Sequence, residues 1–216
     1  MNQQIWWYVA RGSGVVAWGI MALSVFWGLA LSSRFLGKRP KPNWMLDLHR
    51  FLGGLSVVFI GTHIVSLVLD SYVSFSWLDI LVPGATTYHT LAVAWGVIAM
   101  YLALAVEVTS LLRKRLSKRA WRRTHYLSFP LFALSTIHLL TVGTDRSTPV
   151  LRWTVLATVA TIVVATAIRI RRSDAPRPDS RRPDRPSIPT RQIPILDTAP
   201  QNEFAQPLAR AGSQTG

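Results

Sequence analysis

Five long apolar blocks joined by polar connections constrain this chain more than any other feature. They run from about Ile5 to Leu31, Leu46 to Leu69, Thr90 to Leu112, His125 to Val142 and Val150 to Ile170. A helix needs about 20 apolar residues to cross the hydrocarbon core, and these blocks have that length. Strands do not fit, because the blocks contain no turn signals and lack the alternation of a lipid-facing barrel. The expected fold is an all-α integral membrane protein, a bundle of five transmembrane helices.

The charge pattern agrees with this and gives a direction. The 216 residues are 50% hydrophobic yet carry a formal net charge of +14. A soluble domain seldom combines the two, whereas a membrane protein with segregated charge does so naturally. Of the 24 Lys and Arg residues, 21 fall on one face of the expected bundle. They are Arg34, Lys38, Arg39, Lys41 and Arg50, the run from Arg113 to Arg123, and those from Arg169 onward. Only Arg11, Arg146 and Arg152 lie opposite. Positive charge collects on the cytoplasmic side, so the N-terminus is expected outside and the C-terminus inside. The basicity thus reports topology and a lipid partner rather than nucleic acid. The first block lacks a basic leader and a small-residue cleavage site, and is expected to be a retained helix.

Beyond Ile170 the composition shifts to Pro, Arg, Asp, Ser and Gln, with eight of the 13 prolines. Too few apolar residues remain there to offset the entropy of ordering. Residues 171–216 are therefore expected to form a disordered cytoplasmic tail following a membrane domain of residues 1–170.

Within the second block, DLHRFLGGLSVVFIGTHI, His49 and His63 are 14 residues apart. On a helix that is about 21 Å of rise and about 40° short of four whole turns, so both rings leave nearly one face. The fourth block carries His125 and His138, 13 residues or about 19.5 Å apart, and runs in the same direction. His49 thus matches His125 in depth, and His63 matches His138. Thirteen residues leave the second ring roughly 140° out of phase on a regular helix, but Pro130 lies between the two and is expected to bend both toward the second block. A lone membrane histidine serves as well for a hydrogen bond across a helix interface; two pairs at matching depths point to two cofactors. The chain has no cysteine, which excludes disulfides, thiolate metal sites and c-type haem attachment. Histidine pairs without nearby carboxylates suit axial ligation of haem iron better than zinc or di-iron. Filling both axial positions favours electron transfer over oxygen binding at the metal.

The segments HRFLGGLSVVFIGTH and WRRTHYLSFPLFALSTIH, with the trailing GTD, resemble the ferric reductase-like transmembrane domain family. That family includes the membrane cores of ferric reductases and NADPH oxidases. Its short bacterial members include the haem-binding membrane subunit of periplasmic methionine sulfoxide reductase. The resemblance implies two stacked b-type haems, ligated by His49 with His125 and by His63 with His138, in a bacterial-type plasma membrane. It also implies an oxidoreductase component without its own flavin and nicotinamide domain, taking electrons from quinol or from a flavin-bearing partner.

Around such haems, Gly53, Gly54 and Gly61 offer either room for a macrocycle or close helix packing. Arg50, Arg122 and Arg123 adjoin the inner ligands, either as propionate partners or as ordinary inside charges. Arg11 is expected to meet an outer propionate or to snorkel to the surface. His89 reads as an interfacial hydrogen-bonder, and Glu107 as the partner of an arginine in the third connection. The expected function is an electron wire toward an extracytoplasmic redox protein or small acceptor. A quinone-linked cytochrome b anchoring an external oxidoreductase, and a haem-free scaffold or transporter, are the rival readings.

Overall fold

A computed structural model describes residues 4–32, 43–71, 73–143 and 147–173. Arg34, Lys38, Arg39, Lys41, Arg146 and residues 174–216 of the stretch expected to be a disordered tail lie outside the described residues, while residues 171–173, expected to begin that tail, are helical instead. Seven helices and no strand occur among the described residues: α1 (Gln4–Ser32), α2 (Asn43–Leu69), α3 (Trp77–Leu81), α4 (Thr90–Leu111), α5 (Lys118–His125), α6 (Ser128–Val142) and α7 (Pro149–Ser173). Five spans have the length and apolar character to cross a membrane: α1, α2, α4, the α5–α6 stretch from Lys118 to Val142, and α7 as far as Arg171. The chain is a multi-pass membrane protein.

The fourth span begins seven residues earlier than its hydropathy suggests. Its first part, α5, has the sequence KRAWRRTH, too basic to register as apolar, and starts at Ser117, whose hydroxyl accepts from the Ala120 amide. Between α5 and α6 the backbone tightens: the amide of Leu127 donates to Thr124 and that of Phe129 to Tyr126, three residues back rather than four. Pro130 accounts for the position of this joint. It has no N–H to give to the Tyr126 carbonyl, and its ring crowds that same carbonyl, so the distortion falls one turn before the proline. Three-residue turns advance faster around the axis than α-helical ones, which moves His138 toward the phase of His125.

Packing is pairwise. α1 lies along α2 over its length, and α4 lies along α6 in the same way; contacts between the two pairs are sparser, and α2 and α6 are not a closely packed pair. α1 joins the halves. Its buried face is mostly small, with Ala10, Ser13, Ala17, Ala22 and Ser24, which allows close approach where no hydrophobic effect drives helices together. Trp18, Met21 and Leu29 are its large members, and Trp18 is stacked on Phe132 at 6.0 Å between ring centres, with the indole N–H donating to Thr136 Oγ1 at 2.9 Å. At the other end of α1 the Trp27 indole donates to the Met45 carbonyl at 2.9 Å, fastening α1 to the start of α2. α7 rests on α1 through Val155 and Ile162 and otherwise turns outward, as a lipid-facing helix does.

Trp18→Phe keeps the stacked ring but removes the donor. Interhelical hydrogen bonds in membrane proteins average about 0.6 kcal/mol and reach about 1.7. This substitution should cost an amount in that range, read as a lower midpoint of denaturation in mixed micelles.

Candidate functional site

The four paired histidines form two layers between the α1–α2 and α4–α6 pairs. At the end carrying α3, the rings of His63 and His138 lie 6.5 Å apart between centres, with planes at 80°. At the end carrying α5, those of His49 and His125 lie 5.9 Å apart, also at 80°. The pairing expected from depth is therefore present, and His138 faces His63 despite the 13-residue spacing. His89 stands apart at the N-terminus of α4 with φ of 42°, packed edge-on against Tyr88.

Three of the four rings dock in the same kind of notch. His63 Nδ1 donates to the Ala10 carbonyl at 2.7 Å, and four residues on, a Cβ at Gly14 would come within 2.9 Å of that same Nδ1. His138 Nδ1 donates to the Ala92 carbonyl at 2.8 Å, and a Cβ at Gly96 would meet its ring at 2.7 Å. His49 Nδ1 lies 3.3 Å from Ser24 Oγ, and a Cβ at Gly28 would approach its Cε1 to 3.1 Å. In each case residue i supplies the hydrogen-bond partner, and the glycine at i+4, one turn along the same face, leaves space for the imidazole. At His63 and His138 the carbonyl partner requires the proton on Nδ1, which leaves Nε2 as the free nitrogen.

His125 differs. Its Nδ1 is buried without a hydrogen-bond partner among the described residues, as is Trp121 Nε1. The two rings are stacked at 5.1 Å and 20°, and the Arg113 guanidinium lies 4.7 Å over the Trp121 ring. Stacking and a neighbouring cation hold this imidazole where the others have a bond.

The remaining expected residues fall around these layers. Arg11 lines the cavity beside His63 and lies 4.4 Å over the Trp7 ring. Arg50 is exposed and pairs with Asp47 at 3.2 Å, while Arg123 is exposed on α5. Gly53 faces α4, where a Cβ would come within 2.9 Å of Glu107 Oε2; Gly61 has open space around it. Glu107 makes no ion pair among the described residues. Its face of α4 turns to α2, away from the arginines that follow α4. The glycines against the histidines are thus on α1 and α4, not on the histidines' own helix. The signal was present: Gly14 and Gly28 repeat the 14-residue interval of His49 and His63 on the neighbouring antiparallel helix.

The donor set decides what such layers accommodate. No group of three or more His, Cys, Asp or Glu converges among the described residues, so each layer offers two nitrogens. A bare zinc ion wants three or four protein ligands, whereas a macrocycle brings its own in-plane donors and needs two axial ones. With metal–nitrogen bonds of about 2 Å, two imidazoles on a common axis have ring centres roughly 6 Å apart. The observed 5.9 and 6.5 Å fit. A cavity of about 240 Å³, lined by Gly14, Trp18, Gly96, Met100 and Leu131 among others, opens beside His63 and His138.

Fold and site define a five-span membrane protein with two layers of paired histidines suited to haem. The chain is similar to the haem-binding subunit MsrQ of protein-methionine-sulfoxide reductase from Rhodospirillum rubrum, at 28% identity over 156 residues, which is 68% of this chain and 73% of that one. This relative agrees with the resemblance drawn from the histidine segments. No family model and no solved structure matches the chain.

Gly96→Ala should displace the His138 ring and cost about 1–3 kcal/mol, the usual penalty of overpacking. Gly19→Ala, at an exposed α1 position with nothing within 4 Å, should be neutral or stabilising. Parallel thermal denaturation of the two variants in detergent checks the contrast.

Proposed function

We propose that this chain is a membrane electron-transfer subunit holding two haem b groups, one between His49 and His125 and one between His63 and His138. The observation that carries this reading is the pair of imidazole gaps, with His63 and His138 anchored through Nδ1 to backbone carbonyls so that Nε2 is left for a metal. Bound there, haem supplies a one-electron couple within the bilayer. The chain's own residues do the rest. The acceptors on α1 and α4 set the ring orientations, and such hydrogen bonds raise the basicity of a ligating imidazole. Trp18, Met21 and Leu131 give the cavity beside His63 an apolar lining. Arg11, Arg50 and Arg123 are the cations proposed for haem carboxylates.

The haem domain, expected to end at residue 170, is assigned through the end of α7 at Ser173, with the cytoplasmic tail following it. By the positive-inside rule the α5 end faces the cytoplasm, with the N-terminus outside, in a bacterial-type plasma membrane. A quinol or a flavin-bearing protein is the proposed donor on that side. The similarity to a subunit of protein-methionine-sulfoxide reductase favours an external redox protein as acceptor over a small one.

The test is spectroscopic, on the full chain purified from cells supplied with haem precursor. Two dithionite-reducible b-type haems per chain are expected by pyridine haemochromogen assay. His63→Ala and His49→Ala should each remove one, with the two variants losing different components of the reduced-minus-oxidised spectrum. A colourless wild-type chain, or retention of both haems in either variant, overturns the assignment.

A further inference from the structure

The connection from Asp70 to His89 reads in sequence as a loop between two spans, yet in the structure the end of α3 lies alongside α4. Tyr101 donates its hydroxyl to the Leu81 carbonyl, at the end of α3, at 2.7 Å. Tyr101 is eleven residues into α4, about 16 Å from the start of that helix, and helical side chains lean back toward the N-terminus by about one turn. The Leu81 carbonyl therefore lies roughly 10 Å below the start of α4, near the level of Gly96, against which His138 packs.

At that depth α3 has two faces. Ile80 is buried and lines the cavity beside His63 and His138. Trp77, Leu78, Leu81 and Val82 turn outward, with Leu78 64% exposed and Trp77 57% exposed. α4 likewise has exposed large apolar side chains, among them Leu91 near its start and Tyr101. Several backbone groups at the two ends of α3 are satisfied by protein. Ser76 and Asp79 form a reciprocal capping box at the start of α3. The amide of Val82 returns to Leu78, that of Ala85 to Val82, and the Leu81 carbonyl takes the Tyr101 hydroxyl. The only charge between residues 73 and 82, Asp79, is folded back onto the Ser76 amide and hydroxyl at 2.9 and 2.6 Å. Non-helical backbone persists in a membrane only when its polar groups are satisfied by protein in this way.

We infer that α3 is a re-entrant segment, dipping from the interface into the acyl chains of its leaflet and forming the lipid-side wall of the cavity beside His63 and His138. Trp77 and the capping box lie at headgroup level, while Leu78, Leu81 and Val82 contact acyl chains. The Tyr101 hydroxyl holds the deep end in place. The occupant of the outward face is the bilayer itself rather than a protein partner.

The absence of cysteine gives a clean background for site-directed spin labels. The full chain is reconstituted in phospholipid vesicles with one label at Leu78→Cys or Leu81→Cys, taking Val163→Cys on α7 as the lipid reference and Arg115→Cys in the basic connection as the water reference. Collision with oxygen, which partitions into lipid, is compared with collision with a water-soluble nickel chelate. Positions 78 and 81 are expected to group with 163, with an oxygen-to-nickel ratio several-fold above that at 115. If both group with 115, α3 is an aqueous loop or a protein-docking surface and the inference falls. Tyr101→Phe should shift the ratio at position 81 toward the water reference. An unchanged ratio removes Tyr101 from its assigned role.

Discussion

A side-chain N–H inside a hydrocarbon slab has no water to turn to, and a histidine placed there is satisfied only by an acceptor in protein. Backbone carbonyls of the neighbouring helices are the nearest candidates, but each already receives a helical amide and is screened by the side chain one turn on. Glycine at that position removes the screen. Ala10 with Gly14 and Ala92 with Gly96 expose a carbonyl in this way, and Ser24 with Gly28 offers a hydroxyl in the same geometry. The close packing of α1 on α2 follows from the same small residues. What looks like a cost in helix propensity, four glycines in α1, is at two of those positions the opening that lets an imidazole dock.

The fourth histidine shows what happens without a notch. His125 ends α5, next to the joint that Pro130 imposes, and no helix presents a carbonyl to it. Its ring lies instead on Trp121, which Arg113 covers in turn. The two layers are therefore unequal in their surroundings. Two backbone carbonyls flank the pair at the α3 end, whereas one hydroxyl and an aromatic face flank the pair at the α5 end. Hydrogen bonding and nearby charge both tune a bound haem, so equivalence of the two sites is not built into the fold.

The parts of this architecture legible in the sequence are those that depend on one helix at a time. Apolar length gives the five spans, and the 14-residue interval puts His49 and His63 on one face. Pro130 foretells a distortion and, through its action four residues back, where it falls. What escapes is anything set by which helices become neighbours. Gly53 was a natural place to look for room beside His49, yet it meets Glu107 on α4, because the face of α2 that carries it is shared with that helix. α3 escapes for a different reason. Five residues are too few for a period, and its depth is set by Tyr101, twenty positions away.

The pairwise packing changes how the site is put together. α1 and α2 are consecutive, and between them they already hold His49 and His63 with their acceptors. α4 and α6 likewise hold His138 with its own. Each hairpin already holds the hydrogen bonds of these histidines, while Trp18 of α1 bonds across to Thr136 of α6. Three of the four imidazoles are thus oriented within a hairpin rather than by contacts between the hairpins. This arrangement also confines the room for adjustment to one corner, where His125 hangs from a joint instead of a notch.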